Sequence, residues 1–331
     1  MDKIMYTYNA LIPNYALKDI QENLAVVHYG NEKTSITTQN DVLHICIPSA
    51  QTQLTEYWSL LHLTTEDANQ RQCHATGTEG WCADGDNLFA ACLVPDGPEL
   101  APASKQAYMR LIQLAEQLGY ANIYRIWNYV GRINAPNNNG LERYRDFCLG
   151  RADAFEALKY APTTLPAATG IGFQNGGVVV FLIARKTPQA TNIENPLQIP
   201  AYQYPQRYGP KAPSFARATV IKVQNGFCLY VSGTASIRNH KSLTQNIEQE
   251  IAITIQNIQQ LLKTAATKYP TFKQSICDSL KIYVRHKKDI PLVSQAFQAA
   301  FGIEAAQAPV LISDICRAEL SLEVEGVFRA P

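Results

Sequence analysis

The sequence predicts an α+β protein containing two copies of one unit of about 100 residues. Three observations predict it. From Asn87 the hydrophobic periodicities run strand, helix, strand, helix, strand pair, and the same order returns in residues 214–331. The closing stretches, LPAATGIGFQNGGVVVFLIAR at 165–185 and APVLISDICRAELSLEVEGVFR at 308–329, lie over each other after a one- or two-residue gap. The last stretch alternates: Leu320, Leu322 and Val324 point one way and Glu319, Glu323 and Glu325 the other, as a half-buried strand requires.

Composition narrows the function classes. With 29 basic and 28 acidic residues the formal charge is +1, so the chain advertises no nucleic-acid or membrane-surface partner, and an anionic ligand must be met by a few placed arginines. No run approaches about 18 apolar residues and the first nine lack the apolar core of a secretory signal, which makes the cytoplasm the expected location. Eight cysteines without a CxxC pair read as reduced, mostly buried thiols. Cys73, His74 and Cys82 lack a fourth ligand and the paired spacing of a metal site, and there is neither a phosphate loop nor a GxGxxG motif, so no metal or cofactor is expected.

Taken in order, residues 1–86 hold short apolar runs at 24–28, 42–47 and 57–63 between Asn-, Thr- and Gln-rich stretches, which reads as a β-rich region rather than a complete domain. The first unit, 87–186, starts with a strand at 88–94. A helix follows at 104–118, with apolar residues at 107, 111, 114, 115 and 118 and Gly119 as its stop. A strand at 123–133, a helix at 141–158 and two strands around the turn 175–177 complete it. Residues 187–213 carry six prolines, too many for a helix or a central strand, and hold Tyr202, Tyr204, Arg207 and Tyr208 as candidates for lining a ligand site. The second unit, 214–331, has strands at 226–231 and 280–285, helices at 245–268 and 292–301, and a closing strand pair within 310–328. In the overlay Glu323 falls opposite Val179, so only the second copy carries that carboxylate.

The second copy, with its SGT turn, KIYVRHKKDIPLVSQAF and terminal EVEG strand, resembles the RidA/YjgF (chorismate-mutase-like) fold unit. The stretch 87–331 resembles the chorismatases, through YRIWNYVGRIN (124–134), LERYRDFCLGRADAF (141–155), LPAATGIG (165–172), ENPLQIPAYQYPQRYGPKAPSFARA (194–218), VSGTASI (231–237) and ICRAELSLEVEG (315–326). The resemblance implies tandem units with mixed sheets and helices packed on one face, a monomer imitating a trimer, and a pocket between the two copies. It also implies a small-molecule substrate, chorismate, which carries two carboxylates and an enol ether.

Such a substrate sets physical demands. Two carboxylates in a water-poor pocket need guanidinium forks or backbone donors. Protonating the terminal methylene of an enol ether needs a general acid whose pKa is raised towards neutrality. Glu323 is the candidate acid, with Glu325, which shares its face, or Glu319 as the fallback. Arg145, Arg151, Arg207 and Arg217 are the candidate clamps, beside Tyr202, Tyr204 and Tyr208. Ser214, Gly233 and Thr234 are candidate hydrogen-bonding positions, Gly233 because it admits close backbone approach. The resemblance places Cys316 and Ala235 where hydrolases and hydroxybenzoate synthases differ, Cys316 leaning towards the synthase type and Ala235 the other way or towards making both 3- and 4-hydroxybenzoate. The competing readings are a RidA-like imine hydrolase and a metabolite-binding module without turnover.

Overall fold

The structure is a computed structural model that describes residues 10–15, 23–30, 32–49, 51–60, 71–188 and 190–331. Three mixed sheets turn their inner faces onto one shared core. The N-terminal sheet holds β1 (Leu11–Asn14), β2 (Asn23–Gly30), β3 (Ser35–Gln39), β4 (Val42–Pro48) and β5 (Leu54–Leu60), in the order β1-β5-β2-β4-β3. The second holds β6 (Gln72–Ala75), β7 (Glu79–Asp84), β8 (Asn87–Val94), β9 (Asn122–Gly131), β10 (Ala167–Phe173) and β11 (Val178–Arg185), in the order β10-β9-β11-β8-β7-β6. In the third, β12 (Ala190–Ile193), β13 (Ala218–Val223) and β14 (Gly226–Thr234) are followed by a small separate hairpin, β15 (Ile237–Arg238) and β16 (Lys241–Ser242). The sheet then closes with β17 (Ile276–Val284), β18 (Val310–Ile312) and β19 (Leu322–Ala330), in the order β12-β13-β14-β19-β17-β18.

Helices cover the outer faces of the second and third sheets. α1 (Ala101–Gln117) and α2 (Arg143–Ala157) lie on the second, α3 (Ile247–Lys268) and α4 (Ile290–Phe301) on the third. Local chemistry sets their limits. Pro102 and Pro291 sit in the first turns of α1 and α4, where a missing N–H costs nothing. Gly119 and Gly302, both at positive φ, follow the ends of the same two helices. The Asn246 side chain accepts the Gln249 backbone N–H at the start of α3, and Glu248 and Lys268 complement its dipole. Strand alternation divides the burial: Trp127, Tyr129 and Phe181 face the shared core, while Ile126, Val130 and Leu182 pack under α1 and α2.

The registers expose a threefold repeat. In each sheet a central strand (β2, β9 or β17) pairs parallel with one neighbour and antiparallel with the other. Tyr29 lies between Ile47 and Leu54, Tyr129 between Ile171 and Val179, and Tyr283 between Leu311 and Glu323. The three tyrosine hydroxyls form a chain, Tyr29 to Tyr129 at 2.8 Å and Tyr129 to Tyr283 at 2.9 Å. The described residues within 11–60 therefore supply the third sheet of a pseudo-trimer, where the sequence had shown only short apolar runs, while β6 and β7, also expected in the N-terminal region, extend the second sheet; among the described residues of this region there is no helix.

Two further expectations change. The closing strand begins at Leu322, so Glu319 lies in an exposed turn, outside the strand face it was expected to share. Cys73 and Cys82 stand opposite each other on β6 and β7 and are joined as a disulfide, so these two are not free thiols. Residues 61–63 of the third N-terminal apolar run lie outside the described residues, and the described helices include none long and apolar enough to cross a membrane.

Candidate active site between the second and third sheets

β10 is the edge strand of the second sheet and docks against the third. Its Ala167 and Ala168 backbone N–H groups donate to the Thr219 and Ser232 hydroxyls, and the Ala216 N–H donates to the Pro166 carbonyl. Beside this seam opens a cavity of about 320 Å³. The first unit contributes Glu142, Tyr144, Arg145 and Arg151 from α2 and its N-terminal approach, with Ala168, Thr169 and Gly170 from β10. The proline-rich loop contributes Gln198, Tyr204 and Tyr208, and the second unit Phe215 and Arg217 just after that loop, Gly233 from the end of β14, Ala235 after it, Cys316, Arg317 and Glu319 from the turn, and Glu323 from β19.

Backbone irregularity makes room for the acid. In the second sheet β8 and β11 run in unbroken register and Val179 faces Leu93. In the third, the register between β14 and β19 slips between Val231 and Thr234. Gly233 lies in this bulge, and a Cβ there would come within 2.0 Å of Glu323 Oε1. Gly233 thus leaves room for the Glu323 side chain, which a Cβ there would push aside. In the first copy Val179 and Leu93 occupy the corresponding register positions.

Glu323 and Glu325 are both buried, yet their surroundings are opposite. Glu325 points into the shared core. Its carboxylate accepts from Arg125 at 2.7 Å, Trp127 Nε1 at 2.8 Å and Tyr283 at 3.3 Å, pairs with Lys281 at 3.0 Å, and accepts from the Thr169 hydroxyl. Burial would raise its pKa, but Lys281, Arg125 and these hydrogen bonds hold it below the usual carboxylate range. Glu323 lines the cavity, and its described side-chain contact is the Cys316 thiol, 3.6 Å from Oε2. Burial, then the nearby Glu325 charge, push Glu323 up to about 8, against weaker opposing effects of Cys316, Arg125 and Arg217. At neutral pH Glu323 therefore carries a proton and can donate it.

Facing Glu323 are guanidinium groups that make no salt bridge among the described residues, although the Glu194 carboxylate lies near Arg217 and accepts its backbone N–H. Arg151 is buried, its guanidinium over the Phe147 ring, donating to Cys148 Sγ at 3.6 Å and hydrogen-bonded to the Tyr108 hydroxyl; its Nε has no hydrogen-bond partner. Arg217 is also buried; it donates to the Ile199 carbonyl and the Tyr204 hydroxyl, and its Nε is likewise unsatisfied. Neither makes a salt bridge among the described residues. Arg317 lies 4.3 Å over the Tyr208 ring and donates to the His240 carbonyl and Ser242. Unpaired buried guanidinium groups cost several kcal/mol and are matched by an anionic ligand. Arg145 differs: it is partly exposed and already paired with Glu142 at 3.3 Å.

Of the residues singled out in the sequence, the cavity gathers Glu323, Cys316, Arg145, Arg151, Tyr204, Tyr208, Arg217, Gly233 and Ala235. It does not include Tyr202, Arg207, Ser214 or Thr234. Tyr202 packs against the core under the second sheet's helices, exposed Arg207 contacts His240, Ser214 is buried behind the lining, and the Thr234 hydroxyl donates to its neighbour's carbonyl at Ser232. Sequence reasoning had not selected Glu142, Tyr144, Thr169, Gln198, Phe215 or Arg317, although each lies in or adjoins a residue or motif already marked. Thr169 looks like an ordinary strand threonine; only the fold brings it to Glu325 and to the Gly233 N–H.

Residues 62–184 match the family model described as chorismatase FkbO/Hyg5-like, N-terminal. Over 253 residues, 74% of each chain, the sequence is 37% identical to a 3-hydroxybenzoate synthase of Streptomyces hygroscopicus. Over 285 residues, 81% of this chain and 85% of the other, it is 37% identical to a chorismatase of Streptomyces rapamycinicus. A crystal structure of a chorismatase superposes with a TM-score of 0.86 at 28% identity, covering 98% of this chain and 99% of that one. With 37% identity to these relatives over about three quarters or more of both chains, and a shared fold, the chain belongs to the chorismatase family.

Proposed function

We propose that the enzyme converts chorismate to pyruvate and 3-hydroxybenzoate, with 4-hydroxybenzoate as a second product, and that Glu323 is the general acid. The observation that supports this reading is one cavity in which a buried carboxyl group, its pKa pushed up to about 8, faces two buried guanidinium groups that make no salt bridge among the described residues and whose Nε atoms are unsatisfied. Arg151 and Arg217 take the two substrate carboxylates, and Tyr204, held by Arg217, orients the second of them. Glu323 transfers its proton to the terminal methylene carbon of the enolpyruvyl group, leaving an oxocarbenium ion. Attack by the neighbouring ring hydroxyl leads to pyruvate and an aromatic hydroxybenzoate with no water consumed. The proton released as the ring becomes aromatic returns to the Glu323 carboxylate.

Hydrolysis, the second reading, has water capture the same cation and yields pyruvate with 3,4-dihydroxycyclohexa-1,5-diene carboxylate. Ala235 in the cavity wall is the feature that favours it. Incubation with chorismate, with pyruvate read by a coupled dehydrogenase and the ring products separated by chromatography, tests both. A hydroxybenzoate peak is expected; a dienediol as the main product transfers the assignment to hydrolysis, and absence of pyruvate overturns both readings and leaves a binding module.

A further inference from the structure

The machinery above leaves unused a buried charge cluster that reaches the N-terminal sheet. Lys281 on β17 stands at the centre of it, with Glu325 at 3.0 Å on one side and both oxygens of Glu56, on β5, at 2.9 Å on the other. Arg125 completes the set through its pair with Glu325. The Tyr29 hydroxyl donates to Glu56 at 2.8 Å and the Tyr15 hydroxyl at 3.5 Å, so Glu56 meets donors only; burial raises its pKa, and Lys281 and these donors favour its charged form against that rise. Two cations thus face two carboxylates, and the cluster is balanced before Glu323 is counted.

We propose that Glu325 is a positioning residue that keeps the proton on Glu323, and that Glu56 of the N-terminal sheet makes this possible by occupying Lys281. The geometry carries the argument. Glu323 and Glu325 are two residues apart on the same face of β19, so their carboxylates are neighbours without sharing a hydrogen bond. The other titratable groups around Glu323 are Cys316, Arg317 and Glu319 from the turn, Glu142, Tyr144, Arg145 and Arg151 from α2 and its approach, Tyr204, Tyr208 and Arg217 from the loop, Arg125 from β9 and Tyr283 across the ladder on β17. The cations among them favour losing the proton. Burial is the largest influence that holds it, and Glu325 adds to burial only while Lys281 and Arg125 keep it ionised; Lys281 would add to the cations were Glu56 not there. In the first copy Phe181 occupies the register position of Glu325 and Val179 that of Glu323, so that copy holds neither the acid nor the group that sets it.

This inference rests on Glu323 as the acid, and its test separates the two. The pH dependence of kcat/KM for pyruvate release is compared among the native enzyme, Glu323→Gln, Glu325→Gln and Glu56→Gln. The native profile is expected to fall at alkaline pH as Glu323 loses its proton. Glu325→Gln, which keeps an acceptor for Trp127 and Arg125, should move that limb to lower pH by about one unit or more, and Glu56→Gln should move it the same way by less. If Glu323→Gln keeps native turnover, the acid assignment fails. If Glu323→Gln is inactive but Glu325→Gln loses activity equally at all pH values, with the limb unmoved, the inference fails alone. Should Glu325→Gln not fold, the limb of Glu56→Gln decides.

Discussion

Glu323 is held in a state that is useful to a reaction and unfavourable to the resting protein. Its pKa is raised in the folded chain to about 8 from an ordinary 4.5, so the stability it withholds is absent below pH 4.5 and grows as pH rises towards 8. Each unit corresponds to about 1.4 kcal/mol, and the cost amounts to several kcal/mol in alkaline solution. Glu323→Gln is therefore expected to lower kcat by at least about 100-fold and at the same time to raise the melting temperature, more at pH 8 than at pH 5. Arg151 is a buried charge without a salt bridge, although its neighbours Cys148, Tyr108 and Tyr144 favour its charged form. Its guanidinium is buried without an acid, so Arg151→Met should raise KM for chorismate about 10- to 100-fold, in keeping with loss of a charge-assisted pair, while leaving the ligand-free protein at least as stable in thermal melts.

Among the elements, the bulged end of β14 decides where the site lies. A strand in regular register, like β8, would bring a full side chain against Val324's neighbour, as Leu93 does against Val179. Gly233→Ala places a Cβ on the Glu323 carboxylate and should lower kcat more than it raises KM, since the acid is displaced while Arg151 and Arg217 stay in place. At α3 the expected effect is structural only. Asn246→Ala removes the side-chain acceptor of the Gln249 N–H and should cost about 1 kcal/mol in denaturant unfolding without changing the alkaline limb of the activity profile.

At the scale of the molecule, three sheets place their central tyrosines in one hydroxyl chain, and the charge cluster around Lys281 joins the N-terminal sheet to the catalytic strand. Lys281→Met leaves Glu56 and Glu325 buried with one cation fewer; a loss of about 3–5 kcal/mol is expected, read as a lowered melting temperature. The same cluster explains why the N-terminal region escaped recognition as a repeat. Its sheet keeps the strand order and the register of Tyr29, but its described part has no helix, so the alternation of periods 2 and 3.6 that announced the other two units is missing.

By itself the sequence determined the element order of both helical units, the overlay of Glu323 on Val179 and the family motifs, because strand alternation, helical spacing and turn residues are local and survive in one dimension. The register bears out that overlay: Tyr283 faces Glu323 as Tyr129 faces Val179. Only the tertiary structure decided between Glu323 and Glu325. Alternation puts both on one face, and what separates them is which groups from other strands arrive beside each: Lys281, Arg125, Trp127 and Thr169 at Glu325, a glycine bulge and an open cavity at Glu323. A carboxylate's charge state depends on its burial and its neighbours in space, and neither is carried by its position along a strand.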